Sequence, residues 1–510
     1  MSKQLYKSTA IVSGMTMISR IMGFARDMLI ANLFGVSLAT DAFFVAFKIP
    51  NFLRRLFAEG AFAHAFVPIL TDYKQHKPAH ELKTFVDRTA GTLSGLLVLL
   101  TIAGVIAAPL LILFFAPGFL WTGDQYHLAV ELLQITFPYL LFITLTAFAG
   151  AILNAHGKFA VPAITPVLLN LCMIMAAVWL SPKFSEPITA LAWGVFAAGV
   201  VQLLFQLPSL LKLGLFPRLR IAPDDHSVKK VVSLMLPSIF GVSVVQVNLL
   251  FDTLVASFLA SGSVSWLYYS DRLVEFPLGI LGVAVSTVIL PNLSKSHAAN
   301  DLSTFSKSLD WGLKLVLITG LPATLGLVLL AQPILSTLFQ YNEFGAEDVR
   351  MAGKSLAAFA LGLLAFILIK ILVPGFTARH DLKTPTRIGL YAIVCNVLLN
   401  LLLVWPMAHA GIALATTLAA YVNAVGLLIA LLKQKIYQPG AHWRAFILRV
   451  VFACTLMSGF LIGFVDESLW LNWSVSDRGW HLVVAIIAAM SIYLLGLGLS
   501  GIRPSHLIEH

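Results

Sequence analysis

Residues 41–73 read DAFFVAFKIPNFLRRLFAEGAFAHAFVPILTDY, and they set Asp41, Lys48, Arg54, Arg55 and Glu59 inside an otherwise apolar run. The stretch is too apolar for a loop and too charged to face lipid. On a helix, Asp41, Lys48 and Arg55 recur every seven residues, with Arg54 beside Arg55 and Glu59 one turn further on, so the charges share one face. Phe, Val, Leu and Ala take the other. Ionisable side chains at membrane depth cost about 2.5–3.5 kcal/mol each on insertion scales, and they normally face a water-filled cavity. The stretch therefore predicts a helix that lines one.

Composition places the whole chain in the same environment. Of its 510 residues, 59% are hydrophobic and 11% charged, with a mean hydropathy of +0.89, whereas about a quarter of a soluble domain is charged. The class is polytopic membrane protein. A net charge of +10 would suit nucleic acid if the basic residues formed one folded patch. They lie instead in short loops between apolar runs, the pattern that sets topology. Cys172, Cys395 and Cys454 sit in separate apolar runs without metal-ligand spacing and read as small core residues. The first apolar run holds Arg20, Arg26 and Asp27 with no cleavage site behind a clean apolar core, so it reads as a retained helix and not a signal peptide.

With about 20 apolar residues needed per span, fourteen candidates emerge: 10–34, 40–71, 89–116, 127–153, 160–181, 188–211, 231–260, 264–293, 309–331, 352–376, 387–405, 410–432, 445–465 and 480–501. The loops test the count. Alternate loops hold Lys74, Lys77, Lys83 and Arg88; Lys158; Lys212, Arg218, Arg220, Lys229 and Lys230; Lys295 and Lys307; Arg379, Lys383 and Arg387; and Lys433, Lys435 and Arg444. The intervening loops are nearly free of Lys and Arg. By the positive-inside rule both termini are cytoplasmic.

A repeat shows at a fixed spacing. Pro68 in FVPIL matches Pro291 in ILPNL, and Pro162 matches Pro385, each 223 residues on, while Pro109 in AAPLL matches Pro333 in AQPIL at 224. Six helices per copy, an even number, makes the repeats parallel in the membrane. The expected architecture is an all-α polytopic membrane protein: an N-lobe of helices 1–6 (residues 1–225), a C-lobe of helices 7–12 (226–436), and helices 13–14 (437–510) outside the repeat.

Helix 1 carries a polar stripe, Ser13, Thr16, Arg20, Gly23 and Asp27, with Ser19 and Arg26 one column over. Helix 8 carries Asp271, Arg272 and Glu275 at the corresponding place in the second copy. One reading makes Arg20, Arg26, Arg54 and Arg272 a cationic wall for an anionic substrate, since a guanidinium grips phosphate bidentately and never loses its charge. Asp27, Asp41, Glu59, Asp271 and Glu275 then supply pairs that form and break as the lobes rock. The competing reading is structural: Asp27 neutralises a neighbouring arginine, Arg272 pairs with Glu275 along its own helix, and Arg55 heads for the interface. Lys48 and Lys370 are weaker candidates. Asp252, Asn396, Asn400 and Thr416 offer oxygen ligands for Na⁺, against the commoner role of such residues as interhelical hydrogen bonds. No phosphate loop, metal motif or nucleophile elbow appears, and the lone intramembrane His64 reads as a packing or pore residue, so the expectation is a transporter and not an enzyme.

Three segments carry a resemblance: MTMISRIMGFARD (15–27), ATDAFFVAFKIPNFLRRLFAEGAFAHAFVPIL (39–70) and SWLYYSDRLVEFPLGILGVA (265–284) closely resemble the MviN/MurJ family, over nearly the whole chain. The resemblance implies a flippase of peptidoglycan synthesis in the bacterial inner membrane, within the multidrug/oligosaccharidyl-lipid/polysaccharide exporter superfamily. Such a protein moves lipid II, an undecaprenyl-diphosphate-linked disaccharide-pentapeptide, by alternating access. The resemblance also implies two six-helix lobes around a central cavity and a groove for the lipid tail on helices 13 and 14. It assigns essential roles to Arg20, Arg26, Arg54 and Arg272 and important ones to Asp41, Glu59 and Asp271. Some members bind sodium on helices 7, 11 and 12; here Asn400 stands where that pattern has a second acidic ligand. No resident cofactor is expected, with Na⁺ or the membrane potential as driving force, and the expected partners are lipid II, membrane phospholipids and the cell-wall synthesis machinery. The alternatives are a flippase for another lipid-linked oligosaccharide, a drug antiporter of the superfamily, a polyprenyl-phosphate enzyme, and a non-transporting scaffold.

Overall fold

Long runs of Leu, Ala, Val and Phe, interrupted at Gly, Pro and Asp, can satisfy their backbone in lipid only as helices or a closed barrel. The computed structural model describes the backbone of residues 3–440 and 442–502, and their side chains except at 3–10, 58–61, 63, 64, 236–247, 283, 284, 286, 287 and 467. Among the described residues there is no strand. Two compact units divide the chain, 1–264 and 265–510. The first holds α1 (Lys3–Phe34), α2 (Leu38–Arg54), α3 (Ala63–His76), α4 (Ala79–Ile106), α5 (Ala108–Phe115), α6 (Gly123–Thr136), α7 (Tyr139–Ala155), α8 (Ala160–Met175), α9 (Thr189–Lys212) and α10 (His226–Ser257). The second holds α11 (Ser263–Ala298), α12 (Leu302–Leu329), α13 (Ala331–Phe339), α14 (Ala346–Leu361), α15 (Leu363–Thr377), α16 (Lys383–Met407), α17 (His409–Lys433), α18 (Trp443–Phe464), α19 (Glu467–Asn472) and α20 (Val475–Leu499).

Among the described residues, ten helical stretches are long and apolar enough to cross a membrane, and they coincide with ten of the fourteen expected spans. The other four expected spans fall on α1, on α2 with α3, on α10 and on α11. The first two carry the intramembrane charges that depress their hydropathy, and α10 and α11 include residues whose side chains lie outside those described.

The opening stretch is helical throughout but is not one α-helix. Ser37 caps α2, its Oγ accepting from the Thr40 amide at 3.2 Å, and Pro50 lies inside that helix. Residues Arg55–Phe62 then widen into a π-helix before α3 resumes. Such segments are rare and occur often at functional sites. The fixed seven-residue register expected from Asp41 through Arg55 therefore holds only as far as Arg54. Beyond the widened turn, Phe62 and Phe66 stack at 4.8 Å between ring centroids, and Phe66 meets Phe148 of α7 at 5.0 Å and Phe85 of α4 at 5.6 Å. In a bilayer such contacts hold helices together by dispersion and shape, since lipid is as apolar as the core.

Helix α10 packs against the π segment, α3, α4 and α5. It thus joins the first compact unit, whereas the sequence repeat starts a new copy at 226. A repeat records a duplication and a compact unit records packing, and the two boundaries differ by this helix and the turn that follows it.

The helices outside the repeat, α18 and α20, pack on α12; they are fixed to it at one end and midway, and to α13 at the other end. At one end Asp310 of α12 accepts from Tyr437 Oη at 2.8 Å, Trp443 Nε1 at 2.6 Å and Lys314 Nζ at 2.6 Å. Midway, the buried Tyr493 hydroxyl donates to the Ile318 carbonyl at 2.7 Å. At the far end the buried Arg478 donates to the carbonyls of Ser336 (3.3 Å), Gln340 (3.2 Å) and Leu471 (2.9 Å). It serves as a C-cap for α13, a place where a cation also complements the helix dipole.

Candidate functional site

Charged residues on α1 come first in the chain. Arg26 and Asp27 are both buried and form an ion pair, with Nη2 and Nε donating to Oδ1 at 2.6 and 2.9 Å. Arg26 Nη1 also donates to Asn170 Oδ1 of α8 at 3.0 Å, and Asn170 Nδ2 returns to the Ser19 carbonyl at 3.1 Å. The Met173 sulfur lies 3.7 Å from Nη1. The arginine side chain thus ties α1 to α8. Such a buried pair is worth little net against apolar replacements, but removing one partner leaves an expensive charge behind. Arg20, two turns earlier on α1, is half-buried.

Asp41 occupies the first turn of α2, where a carboxylate favours the positive end of the helix dipole. Buried, it accepts from the Gly262 amide at 2.7 Å, and Gly262 has φ +95°, a conformation open to glycine and strained for most other residues. Beside it the Gly118 amide donates to Ser257 Oγ at 3.1 Å. A Cβ on Gly118 would lie 2.1 Å from the Ser257 carbonyl oxygen. These bonds bind the start of α2, the turn at 117–121 and the end of α10 into one assembly.

Further along α2, the half-buried Arg54 donates from Nε to Asn51 Oδ1 at 3.3 Å, and Lys48 is also half-buried. Arg55 opens the π segment. The side chains of Glu59 and His64 lie outside the described residues.

In the second unit Arg272 Nη1 donates to Glu275 Oε2 at 2.8 Å, with the two side chains 32% and 45% exposed. The Arg272 guanidinium also sits 5.0 Å from the centroid of the Tyr268 ring, a cation–π distance. Asp271, the neighbouring residue, is half-buried, and Lys370 on α15 is exposed.

Of the sodium candidates, Asn396 and Asn400 are fully buried one turn apart on α16, which packs on α17. Thr416 of α17 donates its hydroxyl proton to the Ile412 carbonyl at 3.2 Å. Asp252 belongs to α10 in the first unit and is half-buried. Among the described residues no group of three or more His, Cys, Asp or Glu side chains could hold a metal ion.

Within each unit the structure thus brings together Arg26 with Asp27 and Arg272 with Glu275. Two functional partners escaped the sequence. Asn170 stood in plain view as an amide within the apolar run PVLLNLCMIM, the same signal that singled out Asn396 and Asn400. Gly262 contributes only its amide, 221 residues away from Asp41, and gives no side-chain signal.

A family model described as lipid II flippase MurJ matches residues 30–486. Among curated relatives, the "Probable lipid II flippase MurJ" of Vibrio cholerae is 46% identical, over 98% of this chain and 97% of that one. The "Lipid II flippase MurJ" of Burkholderia cenocepacia is 42% identical, over 90% and 89%. Among solved structures, a lipid II flippase MurJ in an inward closed conformation superposes with a TM-score of 0.81 at 28% identity, covering 96% of this chain and 98% of that one. An inward-facing multidrug resistance transporter of the MATE family in the MOP superfamily follows at 0.68 and 15% identity, over 84% and 98%, a likeness of fold alone. With the family model spanning most of the chain and relatives above 40% identity along nearly its full length, the chain belongs to the MurJ family of lipid II flippases.

Proposed function

We propose that this protein carries lipid II across the bacterial inner membrane from the cytoplasmic to the periplasmic leaflet by alternating access, with both termini cytoplasmic and no covalent chemistry. The observation that carries this reading is family membership over nearly the full length in a chain that keeps arginines at 20, 26, 54 and 272. Their planar forks suit the diphosphate, and Arg272, its side chain 32% exposed, presents a partly exposed guanidinium to it. A bound diphosphate removes charge that otherwise demands water, so it favours closure over the headgroup. Asp27, Asp41, Glu59, Asp271 and Glu275 act as pairing and gating residues. The repeat copies, 1–225 and 226–436, serve as the two moving lobes, and 437–510 seats the undecaprenyl tail.

Oxygen donors at Asn396, Asn400 and Thr416 suit a hard monovalent cation. Na⁺ held there would supply a driving force, as would the membrane potential, worth about 2.3 kcal/mol per charge per 100 mV. The protein works beside the cell-wall synthesis machinery, which makes and consumes its cargo. Drug antiport within the superfamily calls for an acidic apolar pocket, which the retained arginines disfavour.

The test is depletion of the protein in cells followed by measurement of which leaflet accumulates lipid II. Accumulation in the cytoplasmic leaflet supports the proposal. An unchanged distribution between leaflets overturns it.

A further inference from the structure

The segment joining α9 to α10, residues 213–225, is neither helix nor strand, yet it is fixed along α4. The Arg218 amide donates to Asp87 Oδ1 at 2.8 Å, the Arg220 amide to the Asp87 carbonyl at 3.3 Å and the Ala222 amide to Thr92 Oγ1 at 3.0 Å. Lys83 donates to the Phe216 carbonyl at 2.9 Å. Gly91 makes the approach possible, because a Cβ there would lie 2.3 Å from the Arg220 nitrogen. From Lys83 to Gly95, whose Cβ would meet Ile221 at 3.7 Å, the contacts climb about 18 Å of helix at 1.5 Å per residue. The segment therefore runs along a membrane-spanning helix, starting from the end that carries the basic loops.

Every second amide, 218, 220 and 222, turns toward α4. That two-residue period puts Arg218 and Arg220 on one face of the segment and Leu219 and Ile221 on the other. All four are exposed, Leu219 at 68% and Ile221 at 73%, with Phe216 at 40% beside them. Apolar side chains so exposed belong in acyl chains rather than in water. The neighbouring charges are engaged: Lys83 with Asp87, Arg88 with Asp225, and Lys229 with Asp224. Arg218 and Arg220 take part in none of the ion pairs found among the described residues. Two guanidinium groups on a fixed backbone, next to an apolar face at the rim of the bilayer, match a phosphodiester with acyl chains attached.

We propose that residues 216–222 form a binding site for an anionic phospholipid, with Arg218 and Arg220 holding the headgroup phosphate and Phe216, Leu219 and Ile221 lying against its acyl chains. Asp87 and Gly91 are positioning residues. They shape the backbone that presents the two arginines.

The test uses the full chain with Cys172, Cys395 and Cys454 changed to Ala and a fluorophore on L219C. The protein is placed in phosphatidylcholine vesicles in which about one lipid in ten is brominated phosphatidylglycerol or, in the parallel sample, brominated phosphatidylcholine. The expected result is about threefold stronger quenching by the phosphatidylglycerol, falling to parity in R218Q/R220Q and surviving in R350Q, which alters an exposed arginine of the second unit. Equal quenching by both lipids with the arginines intact would overturn the proposal. So would a preference that survives R218Q/R220Q, or one abolished by millimolar inorganic phosphate, which would mark a site for soluble anions.

Discussion

The arginines of α1 and α11 began as joint candidates for one cationic wall, and the structure treats them differently. Arg26 is buried and committed to Asp27, Asn170 and Met173. Arg272, its side chain 32% exposed, donates to a half-exposed glutamate and leans on a tyrosine ring. The same residue type therefore does two jobs. Arg26 holds α1 against α8, and any contact it makes with cargo comes through that framework. Arg272 keeps its charge partly exposed, where a diphosphate can compete with Glu275 for the guanidinium.

Breaking the buried pair gives the largest effect. R26M takes the ion-pair partner from buried Asp27, and thermal melting in detergent is expected to fall by an amount equivalent to about 3–5 kcal/mol. In R26M/D27L most of that loss returns, because neither charge is left alone, while translocation stays impaired if Arg26 also faces cargo. A smaller loss is expected at Asp41, where D41A leaves the buried Gly262 amide without its acceptor, worth about 1–3 kcal/mol. D41N keeps an oxygen there and should retain most of the stability, so the two variants separate the hydrogen bond from the charge.

R272Q lies lower on the scale. For a pair this exposed, denaturation of the folded protein should shift by no more than about 1 kcal/mol. A loss comparable to that of R26M would erase the contrast. The Arg88–Asp225 pair at the start of α10 extends the series toward the surface. Burial alone would raise the Asp225 carboxyl, but hydrogen bonds from Arg88 and from the Val228 and Ser227 amides outweigh it and hold the group below its usual range. A depressed carboxyl stabilises the fold above its unfolded pKa of about 3.9 and loses that contribution as pH falls through the folded value. Acid titration of R88A should therefore show a slightly shallower loss of stability below about pH 4 than the parent.

Much of this was legible beforehand, and particular residues show where legibility stopped. Charges at membrane depth stand out against Leu and Phe, so Arg20, Arg26, Arg54 and Arg272 were visible from spacing, as was the three-residue step from Arg272 to Glu275. The π segment at 55–62 was not visible. An α turn and a π turn take the same side chains, and packing around Phe62 and Phe66 decides between them. The bond from Gly262 to Asp41 was invisible because an amide is present at every residue except proline. Arg218 and Arg220 were read only as members of a basic loop. Their placement along α4 depends on Asp87 and Gly91, more than 120 residues earlier in the chain.

The most direct measurement compares lipid II binding and melting temperature in R272Q, purified and folded. If Arg272 grips the diphosphate, affinity drops by about tenfold or more, the equivalent of losing one charge-assisted hydrogen bond, while the melting temperature barely moves. Unchanged affinity, or a loss of affinity that merely tracks a fallen melting temperature, would contradict the account.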